Sequence, residues 1–321
     1  MKKTARIYVA GHCGLVGSAL ARQLMAQGYS KILTRTHADL DLTQPDAVDA
    51  FFALERPQYV FLAAAKVGGI QVNAAYPADF ISDNLAIQQN VMTAAHCHGV
   101  ERLLFFGSNC AYPRDFPRPI REDELLAGPL EDTNRAYAIA KLAGIEMCRA
   151  YRRQHGARYL TVMPASLYGP GDCYDLQKSH VLPALIRKCH EAKARRETEI
   201  VIWGSGTPRR EFLYSDDLAA ACVFLMNLAD ADFDALLDAP GAPGLINIGC
   251  GEDLSIADLA RIVARVIGFS GVLTFDTRKP DGTPHKQLDS RRIQALGWRP
   301  TTSFEVGIAQ VYQDFLDNEL S

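Results

Sequence analysis

The segment RIYVA (residues 6–10) runs straight into GHCGLVG (residues 11–17), and a helically periodic stretch, Leu15–Gln27, follows at once. A short apolar run before a turn reads as a buried strand. Gly11, Gly14 and Gly17 are spaced G-x-x-G-x-x-G. Glycines there let the backbone reverse sharply and approach a pyrophosphate, and the helix start adds amide donors and the positive end of its dipole. Strand, glycine turn and helix in this order predict the first unit of a doubly wound α/β sheet that binds a dinucleotide.

The rest of the first half continues that rhythm. KILT (31–34), YVFLAAA (59–65), RLLFFG (102–107) and YLTVMP (159–164) are strand candidates, separated by helical patterns at Ala47–Leu54, Asn84–His98 and Ala136–His155. Near-continuous apolar strands between helices predict a parallel sheet covered on both faces. After Pro164 the rhythm changes. A polar loop spans 172–179, then come helices at 181–195 and 216–228, a strand at 199–204, a Pro- and Gly-rich connection at 235–251, a helix at 256–267, a strand at 271–275 and a last helix at 304–316. The fold class expected is α/β, a Rossmann-type doubly wound parallel sheet with a smaller α+β C-terminal substrate domain. Residues 1–164 are expected to make the dinucleotide-binding domain, with a returning segment near 212–230, and residues 165–321 to be mainly substrate-binding.

Composition bounds the partners. The net charge of −3 comes without a block of like charges, which argues against nucleic acid or a membrane surface. The N-terminus lacks the long apolar run of a signal peptide, and no stretch is apolar enough to span a bilayer. The cysteines include no C-x-x-C pair, so no metal site is expected, and they read as free thiols of a reducing cytoplasm.

Arg35, just after the second strand, either pairs with the 2′-phosphate of NADP or is a solvated surface side chain. Asp41 either meets the adenine edge or caps the following turn. Tyr137 and Lys141, in YAIAK (137–141), share one helix face. A lysine ammonium beside a phenol favours the phenolate. Ser108, at the end of the preceding strand, can hydrogen-bond the same substrate oxygen. A second pair, Tyr174 and Lys178, lies in polar loop and reads as chance.

Together, the glycine turn, Ser108 and YAIAK resemble the extended short-chain dehydrogenase/reductase family, and RREFLYSDD (209–217) is similar to that family's segment near the nucleotide-sugar phosphates. Family dehydratases carry Asp-Glu after the strand-end serine; this chain has Asn109-Cys110. With AAAKVGG (63–69), SHVLP (179–183), WGSGTP (203–208) and KPDGTP (279–284), the match resembles the branch of 3,5-epimerase/4-reductases acting on GDP-4-keto-6-deoxy sugars.

That resemblance implies NADPH-dependent conversion of GDP-4-keto-6-deoxy-D-mannose to GDP-L-fucose by a cytoplasmic homodimer. It makes Cys110 the base and His180 the acid that invert C3 and C5. Thiol and imidazole, with ordinary pKa values of about 8.5 and 6.5, both exchange protons near neutrality. Ser108 and Tyr137 would polarise the C4 carbonyl, with Lys141 completing the set. The cofactor would meet Gly11, Gly14, Leu15, Val16, Gly17, Arg35, Asp41, Phe106, Gly107, Lys141, Pro164, Leu167 and His180, with Asn84 and Lys66 nearby. Cys13 replaces the family's usual arginine in the glycine loop. The GDP-sugar would meet Lys188, Trp203, Arg210 and Asp281, although Trp203 alone reads equally as core filling. The alternatives are a GDP-colitose or GDP-6-deoxyheptose product, C4 reduction without epimerisation, or a non-catalytic nucleotide-binding subunit.

Overall fold

The computed structural model describes residues 1–116, 118–176, 179–279 and 281–319. In chain order the strands are β1 (Arg6–Ala10), β2 (Lys31–Leu33), β3 (Tyr59–Leu62), β4 (Arg102–Phe106), β5 (Tyr159–Pro164), β6 (Ser166–Tyr168), β7 (Glu199–Trp203), β8 (Arg209–Tyr214), β9 (Leu245–Ile248), β10 (Asp253–Ser255), β11 (Val272–Asp276) and β12 (His285–Lys286). The helices are α1 (Leu15–Ala26), α2 (Pro45–Glu55), α3 (Ile70–Ala75), α4 (Pro77–Cys97), α5 (Arg135–His155), α6 (Val181–Ala194), α7 (Ser215–Met226), α8 (Asp230–Leu237), α9 (Ile256–Ile267), α10 (Arg291–Ala295) and α11 (Phe304–Glu319).

The large sheet is parallel throughout, in the order β2-β1-β3-β4-β5-β9. Its strands are apolar on both faces because helices cover both; β4 and β5 are buried along their whole length. The chain leaves β1 towards β2, then crosses to the other side for β3. Ligands of such sheets lie beyond the strand ends at that reversal, where the glycine turn sits. Helix α7 packs against α1, and Arg22 of α1 pairs with Asp216 of α7 at 2.6 Å.

Leu245–Ile248 was read as part of a Pro- and Gly-rich connection. It is instead the sixth strand, paired with β5 and fully buried. The flanking glycines and prolines hid a run of only four residues, LINI.

A second core gathers Leu182, Ile186, Ile202, Phe212, Leu259, Val263 and Ile308. Around it lie a small sheet built on β8, which pairs with β6, β10 and β12, and a separate parallel ribbon of β7 and β11. Helix α9 shows how local signals set an element: Ser255 caps its start by accepting from Asp258 N, and Gly268 ends it in the left-handed region. Tyr174 is buried and donates to Val311 O; Lys178, its partner in the second Y-x-x-x-K, lies outside the described residues. No helix among the described residues is long and apolar enough to cross a membrane.

Candidate active site

The glycine turn has the shape that dinucleotide binding requires. Gly11 sits at φ +85°, and a Cβ there would lie 2.7 Å from Ala64 N. A Cβ on Gly17 would lie 2.1 Å from Gly11 O, so α1 starts in direct contact with the turn. Gly14 precedes α1 with no side-chain cap and no acidic residue in the first turn. The amides of Leu15, Val16 and Gly17 and the helix dipole are therefore open to an anion, and the residues fit a dinucleotide pyrophosphate. Arg35 stands past the end of β2. Its guanidinium lies over Phe51 at 5.3 Å and pairs with Glu55 at 2.5 Å. The Asp41 carboxylate accepts from Thr43 N at 2.9 Å and Thr43 Oγ1 at 2.8 Å, so it caps the turn, one of the two roles left open by the sequence.

The chemical groups gather where β4 ends. A Cβ on Gly107 would lie 2.3 Å from Met163 Sδ, so a larger residue would have to push that side chain of β5 aside. Ser108 then caps a single turn, Asn109–Ala111, accepting from Cys110 N at 3.2 Å. Helix α5 supplies Tyr137 in its first turn and Lys141 one turn on. Lys141 is buried and donates from Nζ to Phe106 O at 2.8 Å, which ties α5 to the strand end. Desolvation pushes its pKa from 10.5 down to about 7.

The Tyr137 ring packs edge-on against Phe80 with centroids 6.3 Å apart. Burial raises its phenol well above the ordinary value, the nearby Cys110 sulfur raises it further, and a hydrogen bond with Ser108 works the other way. The lysine was expected to draw the phenol towards phenolate. The structure shows the reverse: both groups are desolvated, so each is driven towards its neutral form. Ser108, Cys110, Tyr137 and Lys141 are thus brought together. Phe106 and Gly107 flank them, while Pro164 and Leu167 follow the adjoining strand β5.

Two residues missed in the sequence complete the surroundings of Cys110. Asn134 Nδ2 donates to its Sγ at 3.2 Å, and Lys286 Nζ lies 3.9 Å from it. His180 occupies the position preceding α6, and desolvation pushes its imidazole below the usual range. Among the described residues its ring makes no hydrogen bond, so no direct contact links it to the thiol.

Trp203 is 55% exposed, which excludes the core-filling alternative. Two ammonium groups stand over its ring, Lys188 at 5.7 Å and Lys279 at 5.0 Å. Lys188 also donates to Val201 O at 3.3 Å. Asp281 accepts from Ser205 N at 2.8 Å and Ser205 Oγ at 2.7 Å, filling the space that glycine leaves at Gly204. Arg210, on β8, is desolvated and feels the charges of Cys110 and Asp281. It therefore lies within electrostatic reach of both the thiol and Asp281. A flat aromatic face, flanking cations and a guanidinium suit a nucleoside diphosphate.

The fold and this constellation define a nucleotide-dependent epimerase or dehydrogenase. The chain belongs to the NAD dependent epimerase/dehydratase family, whose pattern it matches over residues 7–249. It is 52% identical to GDP-L-fucose synthase 1 of Arabidopsis thaliana, over 98% of this chain and 94% of that one. It is 49% identical to GDP-L-fucose synthase of Escherichia coli K12, over 98% of this chain and 97% of that one. Among solved structures, a GDP-D-glycero-L-gluco-heptose synthase from Campylobacter jejuni, crystallised in the presence of NADPH, superposes with a TM-score of 0.91 at 36% identity, covering 98% of this chain and 99% of that one.

Proposed function

We propose that the protein converts GDP-4-keto-6-deoxy-D-mannose to GDP-L-fucose, inverting C3 and C5 and then reducing C4. The observation that carries this reading is the meeting of Cys110 with Ser108 and Tyr137: a proton-exchanging sulfur stands beside the two hydroxyls that would hold a ketone oxygen. A carbonyl at C4 acidifies the hydrogens on C3 and C5. At each carbon in turn Cys110 takes the proton and His180 delivers one to the opposite face, solvent water resets both groups between the two inversions, and Ser108 and Tyr137 hold the enolate oxygen meanwhile. Bound in the glycine turn, NADPH supplies the hydride for C4. Tyr137, kept protonated by burial, then gives its proton to the C4 oxygen. Lys141, with a pKa of about 7, replenishes that proton near neutrality.

The cofactor reading is supported by the close glycine turn and by the NADPH-associated structural relative. Lys188, Trp203, Arg210 and Asp281 hold the GDP portion, and Arg35, once released from Glu55, pairs with the 2′-phosphate. Free cysteines, eight in all, suit a reducing cytoplasm, and the outer faces of α4 and α5 are proposed to make a homodimer.

The test is product NMR in deuterated water with NADPH and the GDP-4-keto sugar. GDP-L-fucose labelled at C3 and C5 is expected. A reduced product labelled at neither position overturns the epimerase assignment. The resemblance to the heptose synthase favours a second reading, the same chemistry on a GDP-4-keto-heptose, which a panel of sugars distinguishes by relative kcat/KM.

A further inference from the structure

We infer that Lys286 is a positioning residue for Cys110: its ammonium, with the Asn134 amide, fixes where the sulfur points and is placed to stabilise negative charge on it as it reacts. The inference rests on the proton-transfer role proposed for Cys110 above, and its geometry is independent of any sugar.

Lys286 stands on a pinned backbone. β12 is only two residues long, but it pairs with β8 in a register that sets Lys286 beside Arg210. On one side His285 Nε2 pairs with Asp253 at 2.8 Å. On the other, Leu288 N donates to the buried carboxylate of Glu211 at 2.8 Å, and Gln287 Nε2 donates to Gly251 O at 2.8 Å. The lysine is thus delivered to one place by its neighbours.

Its charge has no carboxylate partner among the described residues. The basic groups around it are satisfied elsewhere: Arg209 and His285 share Asp253, and Arg291 takes Asp289. The half-buried Lys286 ammonium meets the Cys110 sulfur instead, at 3.9 Å. A cation this close stabilises the negative charge that sulfur carries when it reacts.

Asn134 adds direction. It precedes α5, and its Nδ2 points at the sulfur at 3.2 Å, while its Oδ1 is buried without a partner. An amide that spends its donor on sulfur and leaves its acceptor unpaired is arranged for an electron-rich sulfur. Asn109 Oδ1 also lies 3.8 Å from the sulfur, and the titratable groups facing Cys110 besides Lys286 are Tyr137 of α5 and Arg210 of β8, one held neutral and one cationic. During enolisation the thiolate takes the carbon-bound proton and becomes a thiol, and the C–H electron pair passes into the enolate. Lys286 keeps its own protons throughout.

The experiment is alkylation of the sugar-free protein by iodoacetamide near neutral pH, read peptide by peptide by mass spectrometry, with exposed Cys173 as internal standard. Lys286→Met is expected to slow alkylation of Cys110 about tenfold, and Lys286→Arg to keep it within about threefold of the parent, with Cys173 unchanged. Equal Cys110 rates in the parent and Lys286→Met overturn the inference. So does a Lys286→Met protein whose sole defect is a higher KM for the sugar, because the lysine would then be a substrate ligand. A parent protein that incorporates no deuterium into the sugar, yet shows the lysine-dependent alkylation, sinks the function proposed above and leaves the lysine–thiol pairing standing.

Discussion

The Asn84 side chain holds the backbone of Lys66 from both sides: its Oδ1 accepts from Lys66 N and its Nδ2 donates to Lys66 O, each at 3.0 Å. Asn84 is buried on α4, and its Nδ2 also reaches Phe80 O at 2.7 Å. This clasp fixes the segment after β3 that begins with Ala63 and Ala64, the residues packed against Gly11. Asn84→Ala leaves two backbone groups unpaired and is expected to cost about 2 kcal/mol of stability. It should also weaken NADPH binding. Denaturant unfolding and fluorescence titration check the two effects.

Tyr137→Phe removes the proposed donor to the C4 oxygen. Reduction is expected to fall by about a hundredfold or more, the scale of a lost general acid. The fold should persist, because the ring and its edge contact with Phe80 remain. Stopped-flow oxidation of NADPH measures the first effect and thermal melting the second.

Cys110→Ser separates the two proposed steps. Deuterium exchange at C3 and C5 is expected to slow by about a hundredfold, whereas reduction of a substrate already inverted at both carbons should slow far less. Exchange at the parent rate would remove Cys110 from its role.

Trp203→Ala tests the base platform. The residue is largely exposed, so its removal leaves no core cavity and the melting temperature should stay put. KM for the GDP-sugar is expected to rise about tenfold through lost stacking, with a smaller change in kcat. Steady-state kinetics read both.

Lys141 gives a pH dependence of stability. Its folded pKa, about 7, lies below the ordinary 10.5, so the unfolded chain binds more protons between those values. Stability from this group therefore rises as pH climbs from about 7 towards 10.5, and its full cost applies below that window. Lys141→Met should raise the melting temperature at neutral pH, and the gain should shrink as pH approaches the upper end. Melting curves across that range for both proteins check the sign.

What could be read in the sequence was local. The strand–turn–helix around Gly11, Gly14 and Gly17 announced itself because the constraint and its residues are contiguous. YAIAK was legible because one helical turn joins Tyr137 to Lys141. β9 was hidden because four residues between glycines, one of them the polar Asn247, carry little periodic signal, and its identity as a strand comes from pairing with β5. Lys286 and Asn134 left no mark as partners of Cys110, since their convergence depends on the register of β12 with β8 and on the entry to α5. The mutual effect of Tyr137 and Lys141 was misjudged for a related reason: proximity along a helix is visible in sequence, whereas the dielectric around two side chains is set by everything packed over them.

The ribbon of β7 and β11 carries Trp203 at its tip, and it shares no backbone pairing with the large sheet that ends in Ser108. The proposed base platform and the proposed site of sugar chemistry consequently stand on separately hydrogen-bonded pieces of the polypeptide. Replacing that ribbon and the Lys279 loop offers a way to retune which nucleotide handle is accepted while the carbonyl chemistry is inherited intact, a modularity open to natural drift and to protein engineers alike.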